Sequence, residues 1–401
     1  MKFYSSFKVS VKWSDLLVSI KDLLFVSNTK TQSLDFLKEY INKKYIIDVP
    51  SSRWGLVFLL KALNFERDSE IIVPAYTYFA VPSAIIRAGL KPVFVDIAEN
   101  SVNIDEKKIE GNISSKTKAI IATHLCGFPC NLKRINEIAK KYNLVVIEDC
   151  AQSFGAKYEN RNTGDYSVAS YYSLSITKNF TMFAGGILAT DDDEIAKLVM
   201  KEAEKILPLT KISTLKFIIK AFIMKFATSK VITPFTCLFF LFFSVLKIDI
   251  VNLIFKEKNF LLDNEYPKNG RFNYVQKHIA IRQLKDFEKN NLIKEQNGKL
   301  FYNLVSKKRN CNIPGILDNC KNIFSSMPIF VENREKVKIE LLKKGIDASK
   351  PFVQCCPTIK DFGKYDLNKY PNSLRAQNSL LYFISSNEIN DKDIEYIVNK
   401  F

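Results

Sequence analysis

The stretch "YYSLSITKNFTMFAGGILAT", residues 171–190, decides how the rest of the chain is read. Two apolar segments flank a Ser/Thr/Lys/Asn cluster and a double glycine, a pattern that predicts strand, tight loop and second strand. Lys178 lies in that loop, with hydroxyls on one side and glycines on the other. A surface lysine has no need of such neighbours. A lysine held in a pocket can form an imine with an aldehyde, and burial lowers its pKa toward that task.

Upstream, short apolar runs alternate with helical stretches. "EIIVPAY", "PVFVDI", "TKAIIATHL" and "LVVIEDC" read as buried strands. "YFAVPSAIIRAG" reads as a helix closed by Gly89, and "NLKRINEIAKKYN" as an amphipathic helix. Continuous apolar strands alternating with helices predict an α/β fold, a mostly parallel central sheet with helices on both faces. Ligands bind such sheets at the carboxyl ends of the strands. Asp149 falls at one of those ends and His124 near the end of the preceding strand.

Asp149, Gln152 and Lys178 together form a constellation suited to pyridoxal phosphate. That cofactor needs a lysine for its aldehyde and an acid facing its pyridine nitrogen. Its phosphate needs hydroxyls, N–H groups and a helix N-terminus. Ser51, Ser52 and Arg53 precede the helical run "WGLVFLLKAL", and Ser173 and Ser175 stand shortly before Lys178.

Three segments carry a resemblance to a known family: "IIVPAYTYFAVPSAIIRAGLKPVFVDI", "VVIEDCAQSFGAKYENRNTGDYSVASYYSLSITKNFTMFAGGILAT" and "GRFNYVQKHIAIRQLKDFEK". They resemble the DegT/StrS family of pyridoxal-phosphate-dependent sugar aminotransferases, over roughly residues 35–200 and 266–401. The resemblance implies the fold type I three-layer sandwich with a smaller C-terminal α+β domain. It implies Lys178 as the imine-forming lysine and Asp149 as the carboxylate at the pyridine nitrogen. Gln152 is similar to the side chain that bonds the ring's phenolic oxygen, and Tyr78 to the aromatic stacked on the ring. Ser52 and Arg53 stand where the family has Gly-Thr before the phosphate-facing helix, and Ser173 resembles the phosphate-binding serine. Asn273 matches an asparagine that reaches the phosphate of a neighbouring subunit, which implies a homodimer with shared sites. His124 and Tyr274 are candidates for substrate contact. Two departures touch substrate contacts: Ala184 replaces an acidic residue before the double glycine, and Val275 replaces an arginine after the Asn-Tyr pair. Family members that dehydrate sugars carry histidine in place of the lysine, so Lys178 implies transamination.

Residues 206–260 are longer and more apolar than the family has there. "VITPFTCLFFLFFSVL" runs 16 residues without a charge, short of the roughly 20 a membrane span needs. A single crossing would also separate Lys178 from Asn273. Two readings remain: a helical hairpin in the membrane interface, with lysines at headgroups, or a buried insertion or oligomer contact. The division expected is 1–205, 206–262 and 263–401, ending in the strand "SLLYFISS" and the helix "NDKDIEYIVNKF".

Composition sets the outer bounds. The chain is 47% hydrophobic and 25% charged, so it folds as a globule. A net charge of +17 fits an anionic membrane surface or a nucleotide-linked substrate. No helix-turn-helix, zinc-finger or RNA-binding motif accompanies it, so nucleic acid is not expected. Eight cysteines and two histidines show no metal-ligand spacing, and no secretory signal opens the chain, so reduced cysteines, no metal and a cytoplasmic setting, peripheral at the inner face of the membrane, are expected. The function expected is transfer of an amino group, from glutamate by family precedent, to a nucleotide-linked keto-sugar for polysaccharide or glycolipid synthesis. The alternatives are a non-catalytic membrane-attached scaffold or regulator, or a pyridoxal-phosphate enzyme that modifies sugars without transaminating them.

Overall fold

The computed structural model describes residues 3–6, 8–26, 33–229, 231–245, 267, 270–309 and 311–401. Its strands run β1 (Tyr45–Val49), β2 (Glu70–Pro74), β3 (Tyr76–Thr77), β4 (Lys91–Val95), β5 (Thr117–Thr123), β6 (Val145–Asp149), β7 (Lys157–Tyr158), β8 (Arg161–Asn162), β9 (Ala169–Ser173) and β10 (Gly186–Thr190). Seven of these make the central sheet, in the order β1-β10-β9-β6-β5-β2-β4. Pairings from β4 through β9 are parallel; β10 with β9, and β1 with β10, are antiparallel.

Alternation along the strands builds three layers, because successive side chains leave opposite faces of a sheet. Ile71, Val73, Ala119, Ile121 and Ile147 join a core with the helices Ser52–Ala62 and Ala80–Arg87. Ile72, Ile120, Ala122 and Val146 face the other way, onto the helix Leu132–Tyr142. Those strand and helix assignments agree with the sequence reading. The turn at Gly89 has φ +83, and Asn131 caps the helix after it by accepting the Arg134 N–H.

The smaller unit is built on an antiparallel three-stranded sheet, β11 (Cys311–Asn312), β13 (Met327–Val331) and β15 (Leu380–Phe383), with β13 in the middle. The helix Asp391–Val398 closes it with a capping box between Asn390 and Asp393. Two short strands tie this unit to the large one: β12 (Cys320–Lys321) pairs with β7, and β14 (Gln354–Cys355) with β3. Tyr4 also belongs here, bridging to Ile346 and donating its hydroxyl to Asp393.

The apolar segment starts as two helices, Lys211–Ala227 and Thr233–Val245. Among the described residues, no helix is long and apolar enough to cross a membrane. The rest of the segment, 246–260, lies outside the described residues.

Candidate active site

The site grows from strand ends. Asp149 is the last residue of β6, paired with Tyr171 of β9 on one side and Thr123 of β5 on the other. Its carboxylate is buried and accepts one backbone bond, from Ala151 N–H at 3.0 Å. Burial pushes its pKa up; the Ala151 N–H, the Tyr171 hydroxyl and the charge of Lys178 pull against that. The sheet thus brings Asp149 and Lys178 within electrostatic reach of each other.

Lys178 sits half-buried in the loop between β9 and β10, its N–H bonded to the Ser175 carbonyl. Neighbours fix that loop from several sides. Ser10 donates to the Lys178 carbonyl, and Asn179 bonds Asn291 and Lys294 of the helix Phe287–Val305. Burial lowers the Lys294 pKa to about 8. The double glycine closes the loop. Gly185 has φ +92, a region that favours glycine, and a Cβ there would meet the Phe272 ring at 2.3 Å. A Cβ on Gly186 would lie 2.5 Å from the Ser52 nitrogen, so this glycine lets β10 abut the start of the helix Ser52–Ala62.

That helix start is the anion-ready end of the site. Ser51, not Ser52, is the N-cap: its side chain accepts from Trp54 N–H, and Ser52 is the first helical residue. Arg53 donates to the Tyr78 hydroxyl at 3.4 Å and lies over the Tyr78 ring. Ser173 pairs with Gly186, which places it beside Ser52. Gln152 accepts the Cys126 N–H at 2.9 Å, in a turn where Cys126 has φ +59.

Three candidates fall elsewhere. His124 is buried and hydrogen-bonded at both ring nitrogens: Nδ1 accepts the Cys130 N–H, which leaves Nε2–H to donate to Glu148 at 3.2 Å. Glu148 points to the other face of β6 from Asp149, so His124 serves the core and not a substrate. Asn273 caps the helix Tyr274–Leu284, accepting from Gln276 and donating to the Leu209 carbonyl and Thr214 hydroxyl. Both amide protons are used inside its own chain, so the contact with a neighbouring subunit's phosphate is not the role its side chain has here. The Tyr274 ring meets the His278 ring at a tilt, 5.7 Å between centroids.

The structure adds residues the sequence reading did not single out. Tyr171 lies beside Asp149, a neighbour fixed only by the β6–β9 register. Glu148 is held ionised at zero exposure by His124 and by the N–H groups of Gly164 and Tyr166. With Cys150 these two make a close trio, within 4.8 Å of one another. The bonds already made by His124 and Glu148, and a thiol that burial keeps protonated, mark it as a hydrogen-bonded core. All eight cysteines are free. One of the two departures also finds a reason. Val275 is buried in an apolar cluster with Ile218, Ala221 and Met224 of the helix Lys211–Ala227, where an arginine would be buried without a partner.

A buried carboxylate at a strand end, a lysine in reach and a helix start make up the candidate cofactor site. Asp149 is buried at a strand end with one backbone donor, and a protonated pyridine nitrogen would give its carboxylate a charged donor. The residues fit pyridoxal phosphate.

Residues 30–205 match the DegT/DnrJ/EryC1/StrS aminotransferase family. It is 42% identical over 159 residues to the dTDP-3-amino-3,6-dideoxy-alpha-D-galactopyranose transaminase of Aneurinibacillus thermoaerophilus, covering 39% of this chain and 44% of that one. It is 36% identical over 165 residues to GDP-perosamine synthase of Escherichia coli O157:H7, covering 39% and 45%. The chain thus spans about half the length of the curated relatives it matches. Its fold matches the Helicobacter pylori aminotransferase PseC, involved in pseudoaminic acid biosynthesis, with a TM-score of 0.76 at 18% identity, over 100% of this chain and 98% of that one.

Proposed function

We propose that this protein is a pyridoxal-phosphate-dependent aminotransferase acting on a nucleotide-linked keto-sugar, with glutamate as donor. The observation that carries this is the union of Lys178 and Asp149 across the β6–β9 edge. Relatives named for dTDP- and GDP-linked amino sugars support the substrate class. When bound, the cofactor supplies the aldehyde that takes up nitrogen and a ring that draws off electrons. The chain supplies the rest. Asp149 holds a proton at the ring nitrogen, Gln152 and Tyr78 orient the ring, and Ser52, Arg53 and Ser173 hold the phosphate. The Lys178 amine carries the proton to and from the substrate carbon as base and acid.

The enzyme works as a homodimer, in the cytoplasm and at the inner face of the membrane, and its product feeds polysaccharide or glycolipid synthesis. The division 1–205, 206–262 and 263–401 serves this reading, with Tyr4–Ser6 added to the small unit.

A visible absorption spectrum tests it. The expected result is a yellow band that fades on adding glutamate and is missing in Lys178→Ala. Protein that binds the cofactor yet never yields its amine form with any amino donor overturns transamination. Protein that stays colourless with added cofactor overturns the whole reading.

A further inference from the structure

Most of the large hydrophobic side chains exposed among the described residues lie on three helices: Trp13–Phe25, Lys211–Ala227 and Thr233–Val245. On Lys211–Ala227, the side chains of Thr214, Ile218, Ala221 and Met224 are buried. Those of Ile212, Leu215, Ile219, Phe222, Ile223 and Phe226 are exposed. At about 100° per residue the exposed six occupy one continuous arc, and Lys216 and Lys220 border it. On Thr233–Val245, Phe235, Leu238, Phe239 and Phe242 are exposed at one-face spacing, opposite buried Thr233 and Cys237. Exposed apolar surface this extensive marks an interaction face.

The charges are sorted as well. Neither Lys211–Ala227 nor Thr233–Val245 contains an acidic residue. On Trp13–Phe25 both acids turn inward: Asp15 is buried against Arg282, and Asp22 against His278. Leu17, Leu24 and Phe25 point outward instead. At the border, Trp13 packs edge-on against Phe222 at 5.0 Å, and Lys225 lies over its ring. The face therefore offers hydrocarbon, an indole at its margin and lysines around it.

We infer that these exposed apolar helix faces, led by Lys211–Ala227 with Trp13–Phe25 packed beside it, seat the protein in the interface of an anionic lipid bilayer. Charge complementarity selects the occupant. Lysine ammoniums meet lipid phosphates while Phe, Ile and Leu enter the acyl boundary, and tryptophan favours the level between them. A second copy of the chain would set lysine against lysine. A protein partner would have to bring an acidic rim to meet these lysines, and an anionic lipid surface supplies that charge throughout. The inference does not depend on the aminotransferase reading.

Flotation of the full chain with vesicles tests it. Wild type is expected to float with vesicles of phosphatidylglycerol in phosphatidylcholine, and far less with phosphatidylcholine alone. Lys216→Gln with Lys220→Gln is expected to weaken partitioning about fivefold per lysine. Ile219→Glu with Ile223→Glu is expected to abolish it, with an unchanged thermal melt showing that the fold is intact. Brominated lipids are expected to quench a fluorescence component that Trp13→Phe removes. Absence of flotation overturns the inference, and so does equal flotation of the glutamate variant. If that variant instead shifts the sedimentation coefficient without lipid, the face joins copies of the chain and the inference fails.

Discussion

At the scale of single residues, the chemistry divides across the two faces of β6. Asp149 faces the site; Glu148, one residue earlier, faces a core of hydrogen bonds with His124. His124→Ala should therefore destabilise the fold by about 1–3 kcal/mol, because a buried carboxylate loses a donor, while the KM for the sugar substrate stays the same. Urea unfolding and steady-state kinetics check the two halves. Asp165 gives a pH signature. Burial raises its pKa from 3.8 to about 6, and the nearby Glu148 charge adds to that. Its protonated form supports the fold fully below about 3.8, and that support is lost as the pH rises through 6. Asp165→Asn should raise the melting temperature at pH 7.5, and the gain should vanish near pH 4. The positions of Asp149 at a strand end and of Lys178 in the loop after β9 were legible in the sequence because the apolar runs beside them are clean. Tyr171 was not, since its nearness to Asp149 comes from the register between two strands. His124 read as a candidate because a sequence does not reveal which face of a sheet its ring joins.

Elements show how tightly the cofactor end is drawn together. Gly186 lets β10 touch the start of the helix Ser52–Ala62, with the Ser52 nitrogen where a Cβ would go. Gly186→Ala should cost about 1–3 kcal/mol by overpacking and weaken cofactor affinity by tilting the helix start. A melt and a cofactor titration would show both. The strands and helices from Glu70 to Asp149 were readable because their apolar periods are clean. The short strands β3, β12 and β14 carry no such period; each is two residues long and exists through its partner. The helix Lys211–Ala227 was readable as apolar, but not as a piece of the site. Its buried stripe shares a cluster with Ile176 and Phe183, which bracket Lys178.

For the whole molecule, the seven-stranded sheet carries Asp149 and Ser173, the three-stranded sheet builds the smaller unit, and the apolar helices face outward. The three-layer α/β architecture was legible from alternation alone. The fastening of Tyr4 to the small unit was not, because no local pattern reports a contact between residues 4 and 393. The proposed dimer has a direct check: sedimentation velocity without lipid should give twice the 46.1 kDa chain mass. A single 46.1 kDa species would overturn the proposed dimer.

That fastening has a consequence for how the chain is made. Tyr4 exchanges backbone bonds with Gly345 and Asp347, Ser6 bonds Asp347, and the Tyr4 hydroxyl reaches Asp393. Residues 4 and 6 thus find these partners 341 to 389 positions later in the chain. Val9 and Val11, beside the Lys178 loop, belong to the same early segment. The wall that Val9 and Val11 give the lysine loop is therefore anchored only once residues 345–393 have been made, and a chain cut before Gly345 should bind the proposed cofactor more weakly.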